Sequence, residues 1–190
     1  MKKLIIALVI VIVAATGILY KSRKVNAPDA SANNSSTTDT TVANKHTLDK
    51  SGKGLTKVDA TIYNQTDLTS LNLSNNSLTS LPSEMGRLTK LQVLRLDNNK
   101  IEGSLIGEIR LMSDLRVLSA SGNNMSGLPA EIGQLNKLVE LDLSNNKLTE
   151  LPNELRQLTG LKKLNLSGNK VSASTIDGLH KALTATTIVE

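Results

Sequence analysis

The amino-acid sequence predicts an α/β solenoid, in which stacked coils of similar length form a parallel β-sheet on the concave side. One leucine pattern recurs five times in the 190-residue chain, at steps of 23, 24, 23 and 23 residues. The copies begin at Leu68, Leu91, Leu115, Leu138 and Leu161. The chain has no Phe or Trp, although an irregular core normally uses aromatic side chains to fill its interior. A core made almost entirely of leucine suits a solenoid, because the same interior slot recurs in every coil.

Four copies read L-x-x-L-x-L-x-x-N, the third has Ala120 in place of the last leucine, and each copy is predicted to form one short strand. Leu71 and Leu73 are two residues apart, so on a strand both side chains point into the interior. Alternate residues such as Asn72 then point outward. The closing asparagine, Asn76 in this copy, falls where the chain leaves the strand. Its amide can donate and accept hydrogen bonds, so we interpret these asparagines as partners of buried backbone groups in stacked coils.

The second half of three coils begins with Leu-Pro, which predicts a narrow turn or a short helix returning along the convex side. Proline presets φ and needs no partner for an N–H group. These prolines are Pro82, Pro129 and Pro152. In the 24-residue copy, Ile106 replaces the proline and Gly103 accommodates one extra residue.

These motifs resemble the leucine-rich-repeat family, in particular its bacterial 23-residue form. The 24-residue copy resembles the variety found in plant receptors. The resemblance covers residues 68–171. It implies a right-handed superhelix with a parallel concave sheet, short helical or extended returns on the convex side and a C-terminal capping helix. It also implies that a partner protein binds the concave face.

Both ends of the repeat region are predicted to be caps, because terminal coils would otherwise expose leucine. Residues 45–67 are interpreted as a degenerate N-terminal capping repeat. Four apolar residues keep the spacing of the repeat there: Leu48, Leu55, Val58 and Ile62. Residues 172–190 are predicted to form a helix and a closing strand, since three apolar residues recur at helical intervals. They are Ile176, Leu179 and Leu183.

Residues 1–24 are predicted to direct the chain to a membrane. Lys2 and Lys3 precede a run without charges over residues 4–20, which is the pattern of an export signal. As a helix this run spans roughly 25 Å, the short end of what a bilayer requires. It either remains as an anchor, which the basic residues after it favour, or is cleaved near Ala15. Positive charges on both sides leave the orientation open.

Residues 25–44 are small and polar, and they are predicted to be a flexible spacer between this segment and the repeats. We therefore expect a single-pass protein of the cell membrane with an extracytoplasmic repeat domain, or a secreted protein if the signal is cleaved.

The net charge of +5 lies mostly outside the repeats. Five basic residues flank the apolar run, and two Asp lie in the spacer. From residue 45 onward, 22 − 5 = 17 basic and 17 − 2 = 15 acidic residues remain, a balance of +2. This is no basic surface for nucleic acid. The absence of cysteine excludes disulfides, thiolate metal sites and a thiol nucleophile.

Candidate binding residues are the outward positions of the predicted strands. They are Gln92, Arg95, Asp97, Arg116, Ser119, Glu140, Asp142, Lys162 and Asn165. We hypothesise a polar recognition strip centred on Arg95, Arg116, Glu140 and Asp142. The alternative is a solvated face on which mixed charges neutralise one another.

No catalytic residue, metal ligand or cofactor is predicted. His46 and His180 lie far from any candidate nucleophile in the sequence. A glutamate recurs on the predicted convex side, but a residue repeated in every coil is first a requirement of the repeat. The sequence therefore predicts a non-enzymatic, monomeric module that binds a partner protein. The alternatives are a glycan-binding protein of the cell wall and a purely structural surface protein.

Overall fold

The computed structural model describes residues 46–190. The predicted targeting segment, residues 1–24, and the predicted spacer, residues 25–44, lie outside the described residues. Within the described range, no helix has the length and apolar character needed to cross a membrane.

Seven short strands form one parallel sheet, with one strand in each coil. The nine strands of the described range, in chain order, are β1 (Thr47–Asp49), β2 (Ser70–Asn72), β3 (Val93–Arg95), β4 (Glu102–Gly103), β5 (Val117–Ser119), β6 (Asn124–Met125), β7 (Glu140–Asp142), β8 (Lys163–Asn165) and β9 (Thr187–Val189). The main sheet has the order β1-β2-β3-β5-β7-β8-β9, and all neighbours are parallel. The predicted α/β solenoid is therefore confirmed.

Leucines stack in rows behind this sheet. The central residues of the strands are in register: Leu48, Leu71, Leu94, Leu118, Leu141, Leu164 and Ile188. A second buried row consists of Leu73, Leu96, Ala120, Leu143 and Leu166. Burial of each such leucine contributes about 1.5–3 kcal/mol. Ala120 is fully buried where the other coils have leucine, so it contributes less.

The convex side consists of four short 3-10 helices, which settles the sequence alternative of a helical or an extended return. They are Ser83–Arg87, Gly107–Leu111, Ala130–Gln134 and Asn153–Gln157. Pro82, Pro129 and Pro152 each directly precede one of them. Ile106 takes the same place with φ −70° and ψ 143°, close to the −73° and 148° of Pro82. Because isoleucine reaches this conformation without strain, the return does not require proline.

The 24-residue coil adds a second, two-stranded sheet. β4 pairs with β6 in parallel, so that Glu102 lies beside Asn124 and Gly103 beside Met125. Gly103 has φ +66°, a backbone conformation that residues with a side chain rarely adopt. The glycine that the sequence analysis linked to the extra residue therefore lies in this small sheet.

Two short α-helices extend the convex row, one packed against the first 3-10 helix and one against the last. At the N-terminal end, α1 (Ala60–Tyr63) begins at Asp59, whose carboxylate accepts from Thr61 N. Ile62 of this helix and Val58 are buried. At the C-terminal end, α2 (Ala173–Ala182) is capped by Ser172 and leads into β9.

The closing asparagines join each coil to its neighbour. The amide group of Asn99 donates to Leu96 O of its own coil and to Leu73 O of the coil before, at 2.9 and 3.0 Å. Its oxygen accepts from Leu78 N at 3.1 Å. The same arrangement recurs at Asn76, Asn123, Asn146 and Asn169. The asparagines thus satisfy buried backbone groups in the way the sequence predicts.

The residue before each of these asparagines has a left-handed backbone, a requirement that the sequence analysis did not identify. The residues at this place are Asn75, Asn98, Gly122, Asn145 and Gly168, with φ between 53° and 72°. Glycine and asparagine are the residues that adopt this conformation most readily. The Asn-Asn and Gly-Asn pairs therefore combine two separate requirements.

We expect Asn123→Ala to lower the free energy of unfolding by about 3 kcal/mol or more, because Ile101 N, Leu96 O and Ala120 O lose a buried partner. Urea denaturation of the full chain in mild detergent, followed by circular dichroism, measures this change. Asn124→Ala is the matched control, since no hydrogen bond to that side chain is recorded among residues 46–190. Equal stability of the two variants would contradict the role assigned to the asparagines.

We also expect Gly133→Ala to destabilise the convex side by about 1–3 kcal/mol. A Cβ atom there would clash with the carbonyl oxygen of Glu154 in the next 3-10 helix. Gly127→Ala is the control, because a Cβ at Gly127 meets nothing within 4 Å, and it should leave the stability unchanged or slightly raised. The same denaturation measurement applies, and a neutral Gly133→Ala would show that the 3-10 helices can separate without cost.

Candidate functional site

The register of the sheet arranges the concave face in two rows of outward residues. The upstream row contains Thr47, Ser70, Val93, Val117, Glu140, Lys163 and Thr187. The downstream row, two residues later in each strand, contains Asp49, Asn72, Arg95, Ser119, Asp142, Asn165 and Val189. Neighbours within a row are one strand apart, roughly 4.8 Å.

Most polar residues of the downstream row hold the end of their own strand. Asp142 Oδ1 accepts from Ser144 N at 2.9 Å and from Ser144 Oγ at 2.7 Å. Asn165 forms the same pair of contacts with Ser167. Asn165 Nδ2 also donates to Asp142 Oδ2 at 3.1 Å, which links the two strands. Asp142 and Asn165, both predicted to bind a partner, therefore have a structural role as well.

Arg95 and Ser119 occupy the downstream row but do not hold the ends of their own strands. At the end of the strand that contains Ser119, Asp97 of the preceding coil accepts the hydrogen bonds instead. Asp97 Oδ1 accepts from Ser121 N at 3.0 Å, from Ser121 Oγ at 2.9 Å and from Ser119 Oγ. Its other oxygen accepts from Ser74 Oγ at 3.3 Å. Asp97 thus holds the end of the following strand instead of its own. Asp97 and Ser119 were both predicted to bind a partner, but their side chains are hydrogen-bonded to each other within the fold. Ser119 is also buried, with only 9% of its surface exposed.

Three charged side chains of the two rows lie around a shallow depression. Arg95, Glu140 and Lys163 are exposed, and within residues 46–190 their side chains form no hydrogen bond or ion pair, although their backbone groups are bonded in the sheet. The depression measures about 210 Å³, and its lining also includes Val117, Ser119 and Asp142. The candidate site is therefore a small concavity with two cations at its sides and two carboxylates between them.

The structure brings together only part of the predicted strip. Arg95, Ser119, Glu140 and Asp142 line the depression, but Arg116 does not. Arg116, like Gln92 and Lys162, is exposed and lies one residue before its strand begins.

Lys163 lines the depression but was not among the candidates that the sequence indicated. It precedes Asn165 by two residues and pairs with Glu140 in the register. Since residues two apart share a face of a strand, this spacing was the signal that could have separated Lys163 from Lys162.

The two histidines belong to the ends of the solenoid. His46 Nδ1 lies 3.3 Å from Asp67 Oδ2, and His180 Nε2 lies 3.7 Å from Glu190 Oε1. Among residues 46–190, no three His, Asp or Glu side chains are grouped so that they could hold a metal ion.

The comparison with protein families identifies the repeat. A family model described as "Leucine rich repeat" matches residues 50–101, 66–125 and 113–171, which together cover more than half of the chain. Comparison with curated proteins gives no match.

Several solved structures have a similar fold. A leucine-rich-repeat protein of Leptospira interrogans is 34% identical with a TM-score of 0.58, over 72% of this chain and 40% of that one. The repeat ectodomain of the Arabidopsis thaliana membrane receptor kinase GASSHO1/SCHENGEN3, in complex with Casparian strip integrity factor 2, is 27% identical with a TM-score of 0.60, over 70% and 19%. An internalin of Listeria monocytogenes shares the fold at 22% identity with a TM-score of 0.62, over 70% and 37%. The chain thus spans 40% or less of each of these structures.

Asp49, the first acidic residue of the downstream row, provides a test of the strand-end contacts. Hydrogen bonds from the side chain and then the backbone of Ser51 lower the pKa of Asp49. Ser51→Ala should raise that pKa toward the usual value, which carbon NMR of the carboxyl group during a pH titration measures. The lowered pKa stabilises the fold above the pKa of an unfolded Asp, and this contribution is lost as the pH falls through the folded-state pKa. Ser80→Ala should leave the titration of Asp49 unchanged; an equal shift in both variants would contradict the assignment.

Proposed function

Since the chain belongs to the leucine-rich-repeat family, we propose that it is an interaction module that binds a partner protein through the concave face of its sheet. The observation that carries this proposal is the set of three exposed charges around the depression: Arg95, Glu140 and Lys163. Other polar residues of the same face, such as Asp142 and Asn165, are engaged in holding the strands. Charged side chains that form no hydrogen bond or ion pair within the described residues are available to bind a partner.

The chemistry of the depression favours a protein partner over a small molecule or a glycan. At about 210 Å³ it is smaller than the roughly 300–1,000 Å³ of pockets that enclose small molecules. The only aromatic residue in residues 46–190 is Tyr63, which lies in α1 and not in either row of the concave face. A sugar ring would therefore find no stacking partner on these rows. The similar plant receptor ectodomain was solved in complex with Casparian strip integrity factor 2, and this receptor complex also supports an interaction role.

We also propose that the module is extracytoplasmic, either tethered to a membrane or secreted. The support is the sequence of residues 1–24, with lysines before an apolar run, together with the membrane-receptor ectodomain among the similar structures. Leucine-rich-repeat proteins are typically non-enzymatic, and we propose no reaction for this chain.

The triple substitution Arg95→Ala, Glu140→Ala and Lys163→Ala should weaken capture of the partner at least about tenfold, since one factor of ten corresponds to only about 1.4 kcal/mol spread over three contacts. The measurement is affinity capture by the full chain in mild detergent, with the retained proteins identified by mass spectrometry and their affinities determined on purified material. All three side chains are exposed, so circular dichroism should show an unchanged fold.

The matched control is Arg110→Ala, Glu150→Ala and Lys170→Ala, which removes the same charges from exposed positions outside both rows. Equal retention by the two triple variants would refute binding through the concave face. Pelleting with cell-wall polysaccharide in the absence of a protein partner would instead indicate a glycan-binding protein. Capture of neither would indicate a structural role.

A further inference from the structure

We infer that the concave face recognises an extended peptide segment with one basic residue and an acidic residue two positions away on each side. This inference rests on the proposed function and specifies the partner of the same site. It follows from the order of the charges across the strands, from the chemistry of the depression and from the spacing of an extended chain.

The charges alternate in sign across the sheet. Arg95 lies on β3, the carboxylates of Glu140 and Asp142 lie on β7, and Lys163 lies on β8. β5 separates β3 from β7, whereas β7 and β8 are direct neighbours. At about 4.8 Å per strand, the arginine is roughly 10 Å from the acidic strand and the lysine roughly 5 Å beyond it. The face therefore presents a cation, an acidic centre and a second cation over roughly 15 Å.

The acidic centre fits a long basic side chain. Asp142 already accepts from Ser144 and Asn165, so Glu140 is the carboxylate with no recorded contact. Val117, half-buried, is the register neighbour of Glu140 and also lines the depression. Lys and Arg place their methylene groups against apolar surface while the charged end meets a carboxylate. A depression of about 210 Å³ suits one side chain of this kind.

The two cations favour acidic residues on either side of that basic residue. The neighbours of Arg95 in the downstream row are Asn72 and Ser119, both neutral, so its guanidinium is available for a carboxylate in bidentate geometry. Lys163 lies at the other side and has neutral Thr187 as its outer neighbour. Arg95, Glu140, Asp142 and Lys163 together carry no net charge, so the order of the partner's charges, and not their sum, determines recognition.

An extended chain crossing the strands has a suitable spacing. Alternate residues of such a chain face the same side and recur at roughly 6.6 Å, so three of them span roughly 13 Å. The two cations lie three strands apart and in different rows, which separates them by roughly 16 Å, and the flexible ends of the side chains make up the difference. The segment is therefore acidic-x-basic-x-acidic, with the basic residue over Val117 and Glu140.

Selection from a phage-displayed library of random dodecapeptides on the full chain, held in mild detergent, tests this inference. We expect the enriched peptides to share the acidic-x-basic-x-acidic pattern. A synthetic peptide with that consensus should bind at least tenfold more weakly to E140Q, while a peptide of the same composition in scrambled order should not bind. Selection on the double variant R95E/K163E should lose the acidic flanks, whereas selection on the control R110E/K170E should return the original consensus.

The outcomes separate this inference from the proposed function. A different consensus whose binding still depends on Arg95, Glu140 and Lys163 overturns the charge pattern and leaves binding through the concave face intact. No enrichment over empty resin also overturns the inference, and the capture experiment with the triple variants then decides the proposed function alone. Peptides that bind equally to all variants contradict both.

Discussion

The hydrogen bonds of the buried asparagines are the contacts on which the stacking of the coils depends. Each carboxamide reaches backbone groups in its own coil and in the coil before, as Asn146 does with Leu143 O and Ala120 O. These backbone groups lie where the chain turns away from the sheet, and a buried group without a partner is costly. The leucine rows supply most of the hydrophobic stabilisation, but hydrophobic burial is not directional and does not fix the orientation of one coil on the next. The asparagines tie each coil to the one before it where the strand ends, and the pairing of the strands aligns the two outward rows.

The concave face combines structural residues with residues that are free to bind. Asp142 and Asn165 illustrate the first group, because their side chains hold the strand ends through a serine two residues later. Arg95 breaks the rule, since arginine cannot accept these hydrogen bonds. Ser119 does not make them in the next strand either, and there Asp97 of the preceding coil accepts from Ser121 instead. The candidate site therefore lies beside the place where the repeat departs from its own pattern, which is where a function is expected to override local regularity.

Much of the fold could be predicted because its causes repeat in the sequence. Leucines two residues apart and the closing asparagines keep the same role from coil to coil, and Gly103 marks the 24-residue coil. Ile106 was harder to interpret. Its backbone angles match those that proline imposes at the same place in other coils, but isoleucine itself has no such restriction on φ. The site could be predicted only in part. Arg116 was a predicted site residue and Lys163 was not, because which residues join the depression depends on where each three-residue strand begins. The partnership of Asp97 with Ser119 crosses coils and leaves no local signal.

The reach of each asparagine to the preceding coil also has an evolutionary consequence. Duplication of any segment that begins and ends at the same place of the pattern recreates the strand pairing and the asparagine contacts between coils, because each strand of the main sheet pairs only with the strands of adjacent coils. Such a duplication lengthens the solenoid without requiring compensating mutations elsewhere. The number of coils can therefore change more easily in evolution than the individual asparagines can. As a result, the number of strands in the concave face is easier to alter than the contacts that hold neighbouring coils together.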